Sequence, residues 1–465
     1  MTVGSATQTA GVGLSAGDDI QAAVNSNPTG TTFTLAPGVY RMQTVVPKDG
    51  DVFSGQKGAT LVGAALIGAS SWTQSSSGVW VAAVSGITPE SSYRGECDAT
   101  HPACMYPEDL FFDSKPFRRV ASLSLVGPGK WFLDYSTDKA YVGSDPSGHT
   151  VEISIERAAF WGSASNVTIR GLRIEKYASI AGKGAINALD SLDAYGPAAD
   201  NWTVDSNEVL LNHGAGVRVN NGMVVENNKI HNNGQMGIGG NGDQILVENN
   251  EVYDNNYVGY SFDWEAGGIK LASSATHVTI KGNYVHDNKG PGIHADISCN
   301  HVTIQNNHTI HNLAIGIHYE ISYNGVITNN LVEDDGILND PGASTPWYGG
   351  GIIVSNSENV EVSGNKVTDC SNGIFGTYAD RGSDSKTGVP YTLKNLDVHN
   401  NTVIQQAGMA EGILKASKFD DSVYTSWGNH FRGDTYNLSN STYAYFYWLL
   451  QSWTEEEWQT YVSEH

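Results

Sequence analysis

Short runs of alternating apolar and polar residues, each broken by Asn-Asn or Gly-Asn, recur through the second half of the chain. They read MVVENNKI from Met223, ILVENNEV from Ile245, VTIKGNYV from Val278 and VTIQNNHTI from Val302. VITNNLV from Val326, VEVSGNKV from Val360 and LDVHNNTV from Leu396 continue the series. Each is a β-branched strand, a two-residue turn and a second strand. A second series interleaves with it: GVRVN at Gly216, GIGGN at Gly237, GIKLA at Gly268, GIHAD at Gly292, GIHYE at Gly316, GIIVS at Gly351 and GIFGT at Gly373. Successive glycines of this series are 21, 31, 24, 24, 35 and 22 residues apart. That base period is too short for a βαβ unit, and helical periodicity is absent. Each coil buries one side and leaves its backbone groups for the next coil to pair, which predicts a parallel β-helix of stacked coils. The repeated Asn suit turns, because Asn tolerates left-handed backbone and can bond to the Asn of the next coil.

The ends and one interruption complete an all-β reading with an N-terminal helical cap and a small inserted β-subdomain. SAGDDIQAAVNSNP predicts a capping helix with Ser15 as N-cap, covering the open edge of the stack. Residues 1–69 hold this leader, cap and first coils, and 70–150 the inserted subdomain. Residues 151–410 form the β-helix core with its cleft. Residues 411–465 form a C-terminal cap, where YFYWLLQSWTEEEWQTYV predicts a short closing helix.

Composition narrows the class. The 465 residues are 40% hydrophobic and 16% charged, a folded composition. A net charge of −23 repels nucleic acid and anionic membrane, so neither is an expected partner. No apolar run approaches the ~18 residues of a membrane span. Cys97 and Cys104 in GECDATHPAC suit a local disulfide, whereas Cys299 and Cys370 read as buried thiols. No signal peptide is visible, and MTVGSATQTAGVG reads as a mature N-terminus carrying an added Met. The expectation is a secreted, extracellular monomer.

Equivalent positions of neighbouring coils lie about 4.8 Å apart, so the Gly-Ile rungs form columns. One column is Arg218, Gly239, Lys270, His294, His318, Ile353 and Phe375; the other is Asn220, Asn241, Ala272, Asp296, Glu320, Ser355 and Thr377. So many ionisable groups cannot face the core, so this face is expected to point outward. Three insertions lie beside its ionisable centre: 254–267, 334–350 and 376–390. They would turn a flat sheet into a cleft rimmed by Tyr257, Tyr260, Trp264, Trp347 and Tyr348. Aromatic rings beside carboxylates suit a sugar. His294, His318, Arg218 and Asn241 are further candidates for binding it. The two His with Asp296 and Glu320 are also a plausible donor set for a metal, but a nearly flat wall holds ligands poorly around an ion, so no metal is expected.

The NN-strand repeat, the GDDIQAAV cap and the TFTLAPGVYR start are similar to secreted right-handed parallel β-helix carbohydrate-active enzymes of the pectin-lyase-like superfamily. The resemblance covers most of the chain and implies a right-handed coil, but it leaves the reaction open. In a glycoside hydrolase, Asp296 and Glu320 would be the carboxylate pair, with Glu265 a more distant partner. Alternatively, Asp263-Trp-Glu265-Ala-Gly-Gly-Ile-Lys270 resembles the polysaccharide lyase family that includes chondroitinase B. That likeness implies calcium at Asp263 and Glu265 and Lys270 as the base, with His294 standing where that family has Arg. A non-catalytic glycan-binding or tailspike-like protein is the third reading. The carboxylate-rich centre and the acidic chain favour hydrolysis of a neutral glycan, without a cofactor.

Overall fold

The computed structural model describes residues 11–89, 94–192, 198–336, 349–416, 418–440 and 442–464. They fall into two compact units, 1–229 and 230–465. Both are built from parallel strands stacked coil on coil, so the solenoid expected from the repeat is present.

In the first unit one parallel sheet begins Val12–Leu14, Thr32–Leu35, Val52–Gly55, and continues through Thr168–Arg170 and Thr203–Asp205. The jump from 55 to 168 is an insertion. A mixed, mainly antiparallel sheet occupies it, running between Ala64–Ile67 and Val151–Ser154 around Leu110, Trp131 and Leu133. Cys97 and Cys104 form a disulfide beside it. The capping helix is Ile20–Ser26, shorter than expected. Its N-cap is Asp19, which accepts from Ala22 N at 2.9 Å, and not Ser15. Ser15 instead donates its backbone N–H to Asp18 at 2.7 Å.

The second unit carries three parallel sheets. They run from Leu246–Glu248 to His430–Arg432, from Glu251–Tyr253 to Thr435–Leu438, and from Met236–Gly240 to Phe446–Trp448. The last sheet closes with an antiparallel hairpin to Gln451–Trp453, and only Glu455–Glu464 is helical. The expected closing helix is therefore confined to the second half of its segment.

The Asn-Asn and Gly-Asn pairs divide their work. The first residue takes left-handed backbone, as Asn249, Gly282, Asn306, Asn329, Gly364 and Asn400 do (φ 55 to 65°). The second enters a buried ladder. Asn250 N donates to Asn283 Oδ1, Asn283 N to Asn307 Oδ1, and so on through Asn330, Asn365 and Asn401 to Asp434, at 2.6–3.0 Å. A second ladder at the next corner runs Asn233, Asn255, Asn288, Asn312 and ends on Asp335. Both ladders end on Asp, which accepts from the preceding Asn without needing an onward acceptor. The rung glycines have a different cause. A β-carbon on Gly292 would stand 2.7 Å from Gly316 O, the backbone of the next coil.

Asp335 is buried, and burial pushes its carboxyl up to about 7 against hydrogen bonds from Thr309 and Asn312. A raised carboxyl pKa favours the folded state while the carboxyl is protonated there. That contribution is complete at acid pH and is lost as pH rises from the ordinary carboxylate range through about 7. Asp335→Asn extends the ladder with a neutral amide. It is expected to remove this loss, worth at most about 4 kcal/mol. Urea denaturation of both proteins at acid and at mildly alkaline pH measures it as a stability gain confined to the alkaline side.

Candidate active site

The register places the columns as the sequence pattern implied. Gly239 pairs with Lys270, Lys270 with His294, His294 with His318, and His318 with Ile353. Ala295 pairs with Tyr319, which sets Asp296 and Glu320 at the next equivalent positions of adjacent coils, and Glu320 pairs with Ser355. Alternate residues Ile269, Ile293 and Ile317 face the core.

The wall is not exposed, however. Lys270, His294, Asp296, His318 and Glu320 are all between 1 and 5% exposed. The expectation of an open outward face is corrected by the insertions, which fold onto it. The carbonyl of Trp264 accepts from Lys270 Nζ at 3.0 Å, and Arg381 reaches Glu320. The apolar rungs Ile353 and Phe375 are covered in turn by Phe262, Met409 and Tyr447.

Under this cover the charges are paired. Lys270 Nζ lies 2.8 Å from Asp296 Oδ2. His294 Nε2 is 3.2 Å from Glu320 Oε2 and 3.9 Å from Asp296 Oδ2, so one imidazole nitrogen stands between the two carboxylates. Arg381 Nη2 is 2.8 Å from Glu320 Oε1. His318 Nε2 is 2.9 Å from Ser355 Oγ, which also accepts from the Thr377 hydroxyl at 2.8 Å. His294 Nδ1 and Asp296 Oδ1 are buried without a hydrogen-bond partner. Burial drives His318 down to about 3, so it is a neutral ring at neutral pH. Burial works against the charge on Glu320 as well, but His318, His294 and Arg381 hold its carboxyl well below the usual carboxylate range.

His294, His318 and Glu320 bring donor atoms within 4.8 Å of one another, the spacing a metal ion would need. The ring geometry opposes it. The two imidazoles are stacked, centroids 4.5 Å apart and planes 17° apart. An ion bonds along an imidazole lone pair, in the ring plane, and two stacked planes share no such point. Asp263 and Glu265 belong to no such cluster of three or more donors among the described residues, and calcium enters no step below.

The remaining expected site residues are scattered. Trp264 is half-buried and Asp263 exposed in the first insertion. Tyr260 is buried within that loop, its ring 6.4 Å from Trp264, and is no rim residue. Asn241 follows Met236–Gly240 and is half-buried. Arg218 belongs to the first unit, where Nη1 donates to Gly182 O at 2.8 Å. Trp347 and Tyr348 lie outside the described residues. Arg381 was missed by the sequence reading. It sits in a segment with no repeat to place it, and its only signal was a basic residue in a Gly-, Ser- and Asp-rich stretch.

A family described as "Right handed beta helix region" matches residues 195–349. Among solved structures, XylC in complex with xylose superposes with a TM-score of 0.58 at 16% identity, covering 90% of this chain and 79% of that one. The A-module of the Azotobacter vinelandii mannuronan C-5 epimerase AlgE4 gives 0.53 at 13% identity, covering 91% and 93%. No curated protein matches the chain. These likenesses show the right-handed parallel β-helix fold.

Proposed function

We propose that this right-handed β-helix protein is a carbohydrate-active enzyme that hydrolyses glycosidic bonds, with Asp296 as nucleophile and Glu320 as acid and then base. One observation carries the reading: two buried carboxylates occupy equivalent positions of adjacent coils, on either side of His294. Adjacent coils are about 4.8 Å apart, and carboxylates about 5–5.5 Å apart suit the retaining reaction. Asp296 is suited to attack. Lys270 holds Oδ2, while Oδ1 is buried with no hydrogen-bond partner, so no bond competes with one to the anomeric carbon. Glu320 donates a proton to the departing glycosidic oxygen. It then takes one from the water that releases the sugar from Asp296.

The lyase alternative has less support. Lys270 would have to be a base, yet its Nζ is paired with Asp296 at 2.8 Å and donates to Trp264 O. The net charge of −23 favours a neutral glycan over a polyuronate, and the neighbour XylC holds xylose, a neutral sugar. A Cys97–Cys104 disulfide suits an oxidising compartment, so action outside the cell by a monomer belongs to the same proposal.

The test is a panel of xylan, arabinan, β-mannan, alginate and polygalacturonate. The expected result is new reducing ends from a neutral polymer, with no unsaturated uronate absorbing in the near ultraviolet and no loss on chelation. An unsaturated product, or no cleavage of any polymer, would overturn the reading.

A further inference from the structure

An acid catalyst must hold a proton when the bond breaks, yet in the free protein Glu320 is clasped by a guanidinium. The two members of that pair are unequal. The Glu320 side chain is 7% exposed and the Arg381 side chain 43%. Glu320 sits in the wall, within the strand Ile315–Glu320, whereas Arg381 reaches it from the insertion after Tyr378. The two oxygens of Glu320 are also unequal. Oε2 is on His294, so Oε1 is the one a substrate oxygen can use, and Oε1 is the atom Arg381 covers.

The insertion around Arg381 is pinned on both sides. Asn356 Oδ1 accepts from Ala379 N at 3.0 Å, and its Nδ2 donates to Ala379 O at 2.7 Å. Lys418 holds Asp380 at 2.6 Å. Beyond Arg381, the Ser298 hydroxyl donates to Asp384 at 2.5 Å and lies 2.6 Å from the Tyr391 hydroxyl. The backbone is fixed and the half-exposed Arg381 side chain is the part that can leave, into water that already reaches it.

We propose that Arg381 is a substrate-displaced clamp on the catalytic acid: in the free protein it occupies the place on Glu320 Oε1 that the glycosidic oxygen takes in the complex. The proposal rests on the hydrolase reading. Around Glu320 stand His294, His318 and Arg381, with Asp296 and Lys270 beyond His294. With the guanidinium gone, one cation that stabilises the carboxylate is lost while the His294 hydrogen bond remains, so burial weighs more heavily toward the protonated carboxyl. A neutral sugar thereby arms its own acid, whereas a guanidinium that stayed would keep Glu320 an anion. Arg381 is thus a positioning residue whose departure matters as much as its presence.

Two measurements decide it. Carbon-13 NMR of protein labelled at Glu carboxyls, with the Glu320 resonance assigned through Glu320→Gln, reads its titration without any substrate. Arg381→Gln is expected to raise the Glu320 midpoint by about 1–3 pH units, the size of losing one adjacent cation, while Arg381→Lys leaves it low. An unmoved midpoint in Arg381→Gln overturns the clamp. Rates are then taken on the polymer that the panel shows to be cleaved. The profile of kcat/KM reports the free enzyme and that of kcat the complex. Arg381→Gln is expected to move the alkaline limb of kcat/KM upward and leave that of kcat in place. Equal movement of both limbs means that Arg381 stays on Glu320 in the complex, and overturns displacement. If no polymer is cleaved, the hydrolase reading fails, while the NMR midpoint still decides whether Arg381 holds Glu320 as an anion in the free protein.

Discussion

Asp296→Asn is expected to abolish hydrolysis almost completely, and Glu320→Gln to lower it by about 10²–10⁴ on a natural polymer, the usual worth of a proton transfer in the transition state. The two variants should part company on a substrate with an activated leaving group. A 4-nitrophenyl glycoside departs without protonation, so Glu320→Gln should cleave it far better than it cleaves the polymer, until release of the covalent sugar limits the rate. Asp296→Asn should fail on both, because an amide oxygen does not attack the anomeric carbon. Stability separates chemistry from folding. Asp296→Asn leaves Lys270, itself 5% exposed, without its counter-charge, and should be measurably destabilised. Glu320→Gln can keep a hydrogen bond to His294 and relieves no comparable partner, except Arg381, which water already reaches. Equal activity of both variants with the unaltered protein would remove this pair from the mechanism.

The second large effect is on the fold. Asn307 is 2% exposed and makes a complete set of bonds within its ladder. Oδ1 accepts from Asn283 N at 3.0 Å and Nδ2 at 2.9 Å, while Nδ2 donates to Ile280 O at 2.9 Å and Asn330 Oδ1 at 3.0 Å. Asn307→Ala removes a bond from each of two buried donors, Asn283 N and Nδ2, and two buried acceptors, Ile280 O and Asn330 Oδ1. At about 1–3 kcal/mol for each buried group left unsatisfied, the expected cost is about 3–5 kcal/mol after partial relaxation. The exposed row at another corner gives the control. Asn359 Nδ2 donates to Asn324 Oδ1 at 3.1 Å in contact with solvent, so Asn359→Gly, which its left-handed backbone (φ 58°) accepts, should cost less than about 1 kcal/mol. Midpoints of urea denaturation compare the two directly.

The repeat was legible because a stacked coil imposes the same demand at the same place in every turn. The Asn-Asn and Gly-Asn pairs mark where the backbone enters the left-handed region and where the next side chain must bond across coils. The column alignment of Lys270, His294, His318, Asp296 and Glu320 followed from the Gly-Ile rungs, and the strand register bears it out. The second ladder was hidden because its left-handed position is filled by Asp254, Asp287, His311 or Asp334 instead of a repeated Asn. What could not be read was the cover. Polar columns imply a solvent-facing wall because charge is costly to bury, but Lys270 with Asp296 and Arg381 with Glu320 meet that cost by pairing. The Arg381–Glu320 pair and the Trp264 carbonyl on Lys270 depend on where non-repeating insertions fold, and insertions carry no periodic signal. The same limit explains Tyr260, whose ring looked like a rim residue and is packed inside its own loop.

The most direct test of the proposed site is a crystal structure of the Glu320→Gln protein soaked with a short oligosaccharide of the polymer it hydrolyses. The expected result is a sugar ring beneath the loop of Trp264, its anomeric carbon about 3–3.5 Å from Asp296 Oδ1, and the glycosidic oxygen beside residue 320 with Arg381 turned to solvent. A sugar bound on another face, or one that leaves Asp296 Oδ1 without a reacting carbon, would contradict it.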